Sequence, residues 1–129
     1  MTLTEHALRG AVLRAGSVNR LPVGLPWYRS LPLSAVRDVE LLLDGTAVPG
    51  LRLRLERGAV EVAALGAMRD TTWFLQDRQV LEWGAPVESA AVGVVLRIRL
   101  QLPNLLGPDG APVQVLQEVR GRVDVEGAG

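Results

Sequence analysis

The chain of 129 residues contains no cysteine and no lysine, a single histidine, and only five aromatic residues. Each shortage excludes something. Without cysteine there are no disulfides, thiolate metal sites or thiol nucleophiles, which suits a cytoplasmic protein. Without lysine there is no Schiff-base chemistry, so all 14 basic residues are arginine. His6 alone, close to one end, supports neither a two-histidine metal site nor a Ser/His/Asp triad. No apolar run approaches the roughly 18 residues of a membrane span. The start, MTLTEHALRG, carries charge where a secretion signal would be apolar. The 14 acids balance the 14 arginines, so the molecule as a whole has no strong pull on nucleic acid or anionic lipid. These readings point to a soluble chain that meets neither nucleic acid nor membrane and is poor in catalytic equipment.

Apolar residues are plentiful, at 48%, and they alternate. LRLRLERG (Leu51 to Gly58) and VVLRIRLQL (Val94 to Leu102) place leucine, valine or isoleucine at every second position, the mark of strands with one buried face. Val36, Val39, Leu41 and Leu43 lie in a further extended segment that ends at the Asp44-Gly45 turn signal. Ala59 to Val62, RQVLEW, VQVLQEVRGRVDVE and an early strand around Ala7 to Arg14 bring the number to about seven or eight. The expected fold is all-β, one domain over residues 1–129, an antiparallel, jelly-roll-like β-sandwich. Ala63 to Met68 is the one candidate helical turn, and LPNLLGPDGAP (Leu102 to Pro112) reads as a loop that leaves Leu105 and Leu106 exposed. Three Arg-x-Arg pairs, 52/54, 97/99 and 120/122, each project from one sheet face. They form either a solvated face laced with acids or a cationic stripe for a carboxylate-bearing partner.

The least ordinary stretch is GLPWYRSLPLS, Gly24 to Ser34. Pro22, Pro26 and Pro32 each fix their own φ and hold the preceding residue extended, so the segment is a shaped loop or an edge. Trp27 and Tyr28 add large flat surfaces, and Arg29 can stack on a ring or fork onto a carboxylate such as Asp38 or Glu40. Such a knot either plugs one end of the core or binds something.

PWYRSLPLSAVRDVELLLDG, Pro26 to Gly45, resembles the segment of the C-glycoside deglycosidase beta-subunit family in which a Pro-aromatic-Tyr-Arg-Gly-x-Pro-Leu-Ser run enters a strand ending in Asp-Gly. The likeness runs from about Arg14 to Arg122 and includes TTWFLQDRQVLEW. Ser30 stands where the family pattern has Gly, and Val94 and Val95 where it has Gly-x-His-x-Val. The resemblance implies a small β-sandwich subunit in a hetero-oligomer with an alpha subunit of TIM-barrel type. That partner would carry a divalent metal, manganese the expected one, and the acid/base groups. Together they would act as a carbon–carbon lyase on a small-molecule 3-oxo C-glycoside of flavone or anthraquinone type. On this chain the resemblance implies no catalytic residue, no metal ligand, no cofactor and no activity alone. It makes Pro26, Trp27, Tyr28, Arg29, Trp73, Phe74, Leu105 and Leu106 candidates for the partner interface or a wall of the substrate pocket. A free-standing carbohydrate-binding module and an oligomerisation module are the competing expectations.

Overall fold

The computed structural model describes residues 5–27, 29–55, 58–74 and 76–127. A four-residue helical turn, α1 (Glu5–Leu8), precedes β1 (Val12–Arg14), β2 (Asn19–Gly24) and β3 (Leu31–Pro32). A 3-10 turn at Leu33–Ala35 leads into β4 (Val36–Leu43), β5 (Thr46–Ala47), β6 (Arg52–Leu55) and β7 (Gly58–Glu61). A second 3-10 turn, Val62–Ala67, is followed by β8 (Thr72–Trp73), β9 (Arg78–Trp83), β10 (Ala91–Leu106) and β11 (Pro112–Glu126).

The mostly-β expectation holds, but the hydrogen bonding is more continuous than two separate sheets. Nine strands form one sheet in the order β5-β4-β10-β11-β1-β2-β9-β6-β7, and β3 pairs with β8 in a small second one. The three residues of β1 join the halves. They run parallel to β11 (Val12 opposite Asp124) and antiparallel to β2 (Arg14 opposite Arg20), so the sheet is not wholly antiparallel. It curls so that both halves face one core. Leu21, Leu81 and Leu53 stand in register across β2, β9 and β6, and Leu41, Leu96 and Val119 across β4, β10 and β11. All six are buried. Alternation is what produces this: the odd positions of β11 turn inward and its even positions, mostly polar, outward.

Three local departures have identifiable causes. Val36 and Val39 are both buried although three residues apart, because Leu100 faces Val36 while Arg99 faces Asp38. Arg37 is therefore an extra residue in a β-bulge that resets the inward face. The early strand expected at Ala7 to Arg14 is only β1. Ala7 and Leu8 are both buried in the helical turn α1 instead, and Gly10 at φ +65 ends it. Residues 102–106 of the expected loop instead continue β10, although the ladder is irregular between Gln101 and Leu106. There Gln101 faces Gln114 and Leu106 faces Pro112, so three surplus residues on β10 are pushed out of the pairing. The Asp44-Gly45 turn forms as expected, with φ +48 and +86 between Leu43 and Thr46.

One arginine of each Arg-x-Arg pair, Arg54, Arg97 and Arg120, is matched by an acid, as is Arg20. Glu82, buried on β9, pairs with Arg20 at 2.6 Å and Arg54 at 3.7 Å. Glu118 accepts from Arg97 at 2.8 Å and Arg120 at 3.1 Å, and Arg97 also reaches Glu40 at 3.5 Å. The Glu118 carboxyl is held below its ordinary value, first by the hydrogen bond from Arg97 and then by that from Arg120. The solvated, acid-laced face is the reading these pairs support.

Candidate functional site

The sheet directions point the strand ends that flank the described candidate residues toward one end of the molecule. β2 runs to Gly24, which faces the start of β9 at Arg78, and β6 runs toward the same end. On the other half, β4 begins at Val36 opposite Leu100, and β10 continues past it to the turn at 107–111. The 24–35 segment, the 68–77 loop and the β10–β11 tip therefore share that end.

The proline-rich segment is anchored from below. Leu25 and Pro26 are buried, and Trp27 is half-buried against the core. Tyr28 lies outside the described residues. Arg29 and Ser30 are exposed. Ser30 lacks a positive φ, and its backbone does not require the family's glycine. Next, Leu31 pairs with Trp73 and Pro32 with Thr72. Leu33 N–H donates to Thr71 O at 2.8 Å, and Ser34 N–H to Met68 O at 3.1 Å. This stitching joins 31–34 to 68–73, so two distant parts of the chain form a single patch.

Trp73 and Phe74 divide the two roles that a ring cluster can play. Trp73 is 1% exposed and donates Nε1–H to Asp77 O at 3.1 Å, closing its loop. Phe74, the next residue on an alternating backbone, points out and is 49% exposed. Leu105 and Leu106, 49% and 64% exposed, lie at the same end on the irregular part of β10. Pro26 and Trp73 thus plug the core, while Phe74, Leu105 and Leu106 remain uncovered and Trp27 lies between.

Beside Phe74 an open concavity of about 800 Å³ is bounded by the β6–β7 hairpin and the 68–79 segment. Met68, Thr71 and Phe74 give it apolar and hydroxyl surface, and it holds charges of both signs, Arg54 and Arg78 against Asp70 and Asp77. Arg54 is engaged with Glu82, and Arg78 donates to Arg9 O. Sequence reasoning missed Met68, Asp70 and Asp77, which carry no motif and line the concavity within one loop that Trp73 Nε1–H closes onto Asp77 O. Among the described residues no group of three or more His, Asp or Glu is placed to hold a metal ion. Nor is any helix there long and apolar enough to cross a membrane.

No family model matches the chain. Among curated proteins, it is 32% identical over 107 residues to a 3'-dehydrocarminate deglycosidase beta subunit of Microbacterium sp., covering 81% of this chain and 80% of that protein. A C-glycoside deglycosidase beta subunit of Microbacterium trichothecenolyticum is 32% identical over 104 residues, 78% of this chain and 79% of the relative. The chain belongs to the C-glycoside deglycosidase beta-subunit family. A beta subunit of Arthrobacter globiformis is 43% identical over a shorter stretch of 58 residues, 43% of this chain and 44% of its own. Membership gives the exposed end a context: a polypeptide of a family named as one subunit, with an uncovered ring and two exposed leucines toward one end.

Proposed function

We propose that this chain is the small subunit of a cytoplasmic heteromeric C-glycoside deglycosidase and that the end carrying Trp27, Phe74, Leu105 and Leu106 meets the alpha subunit. The observation that carries the reading is the split between Trp73 and Phe74 in a protein of this family. One ring fixes the loop, and the other stands half uncovered at the same end as two exposed leucines. Arg29 and Tyr28 belong to the same surface in this reading, Pro26 and Trp73 hold it in shape, and the concavity beside Phe74 forms a wall of the substrate pocket. The curled, mostly-β sheet is, in this view, a scaffold.

The reaction is a β-elimination on a 3-oxo C-glycoside. The ketone at C3 acidifies the C2 proton; a base removes it, the C2–H electron pair becomes a C1=C2 double bond, and the bond from C1 to the aglycone carbon breaks. The departing carbon takes up a proton. A divalent metal, held by an alpha subunit of TIM-barrel type, would supply Lewis-acid stabilisation of the developing charge. The small subunit's task is to hold that site in shape and exclude water from its side.

The test is reconstitution: this chain alone, a C-glycoside deglycosidase alpha subunit alone, and the two co-expressed, each assayed on a 3-oxo C-glucoside for release of the free aglycone. Cleavage by the mixture and by neither part is expected. Cleavage by this chain alone, or a mixture no more active than the alpha subunit, contradicts the proposal. So does binding of a plain glycan by this chain without any partner, which the carbohydrate-binding alternative requires.

A further inference from the structure

β11 runs 15 residues, and the registers of its two partner strands overlap only at Asp124. Its partner β10 lies along one edge, while β1 covers the other only from Asp124 to Glu126. Nearer its middle, Leu8 of α1 sits against Gly121, where an added Cβ would meet Leu8 Cδ1 at 3.3 Å. From Pro112 to Glu118, no strand pairs with this edge among the described residues.

An open strand edge is normally blunted by charge, and this one is not. Residues 112–117 read Pro-Val-Gln-Val-Leu-Gln, with no charged side chain before Glu118. Leu116 faces outward and is 55% exposed, and Val113 and Val115 on the opposite face are only half-buried. Its neighbour Arg99 leaves it uncovered on the β10 side. This edge adjoins the tip that carries Leu105 and Leu106 and continues the surface assigned above to the alpha subunit.

We infer that the 112–118 edge of β11 receives an extended segment of the alpha subunit as an added strand. The inference rests on the subunit reading above, and continuity with that surface is what favours the alpha subunit over a second copy of this chain. The segment it fits is about five or six residues long, uncharged, and apolar at alternate positions so as to cover Leu116 on one face and Val113 and Val115 on the other. Main-chain hydrogen bonds would give the attachment, and the leucines its register.

Hydrogen–deuterium exchange on the full chain, alone and in the reconstituted complex, tests this. Amides in 113–118 are expected to exchange at least tenfold more slowly in the complex than in the isolated chain. In parallel, Leu116→Lys should weaken the affinity for the alpha subunit at least tenfold without lowering the melting temperature of the chain alone. A complex that forms with 113–118 unprotected overturns the added strand and leaves the subunit reading intact. Failure of any complex to form overturns both. Protection of 113–118 that appears in the isolated chain as its concentration is raised assigns the edge to a second copy and likewise overturns the proposal.

Discussion

Trp73 and Phe74 are neighbours in sequence, yet truncating them should have opposite consequences. Trp73 is fully enclosed and closes its loop through Nε1–H to Asp77 O. Trp73→Ala leaves a cavity and an unpaired carbonyl, and is expected to cost the isolated chain about 3–5 kcal/mol. Phe74 has half its surface in water, so Phe74→Ala should cost the isolated chain only about 1 kcal/mol. The exposed half amounts to roughly 100 Å² of apolar area, worth up to about 2.5 kcal/mol if the partner covers it. Ordering costs at an interface reduce that to about 1–2 kcal/mol, or roughly a 5- to 30-fold loss of affinity. Urea unfolding of the chain alone and titration against the alpha subunit measure the two quantities separately. Equal destabilisation by both substitutions, or unchanged affinity in Phe74→Ala, would refute the assignment of one ring to the core and the other to the interface.

Two further expectations concern the scaffold. Asn19 is buried; its Nδ2 donates to Trp83 O at 3.3 Å and Ala85 O at 2.5 Å, and its Oδ1 accepts from Gly16 N at 3.3 Å. Asn19→Ala strands all three backbone groups and should cost about 2–4 kcal/mol by urea unfolding, and a change below about 0.5 kcal/mol would contradict that role. Glu118 has its carboxyl depressed from the ordinary 4.5 by Arg97 and then Arg120, so the folded chain binds that proton less readily than the unfolded one. Its contribution is complete above about pH 4.5 and is lost as the pH falls through the lower folded value. The melting-temperature gap between wild type and Glu118→Gln should therefore close below that pH, and a gap constant from neutral to acid pH would contradict the pairing.

Much of the fold is legible because alternation is a strong signal. LRLRL and VVLRIRL commit their leucines and valines to one face, and the Asp44-Gly45 pair supplies the positive φ values that a two-residue hairpin turn needs. Strand membership in a single sheet is less legible, because it depends on the three-residue β1, whose pairing with β11 spans most of the chain. The bulge at Arg37 is hidden for a related reason: one extra residue shifts the register without altering composition. At the site, the sequence marks the proline-braced aromatic run and the Trp73-Phe74 pair but not how they meet. Which of two adjacent rings turns inward follows only from the pairing of Leu31 with Trp73. Leu116 is not legible as a surface residue, because it sits in a strand of good β-formers, where a leucine on the polar face resembles ordinary core until the neighbouring strands are placed.

The most direct measurement is the mass of the particle that this chain forms when mixed with a C-glycoside deglycosidase alpha subunit, by size-exclusion chromatography with light scattering. A stable mixed complex is expected, and it should weaken or fall apart with Phe74→Ala or paired Leu105→Ser and Leu106→Ser substitutions. Two separate peaks at the masses of the unmixed proteins, or a complex indifferent to all three side chains, would contradict the account.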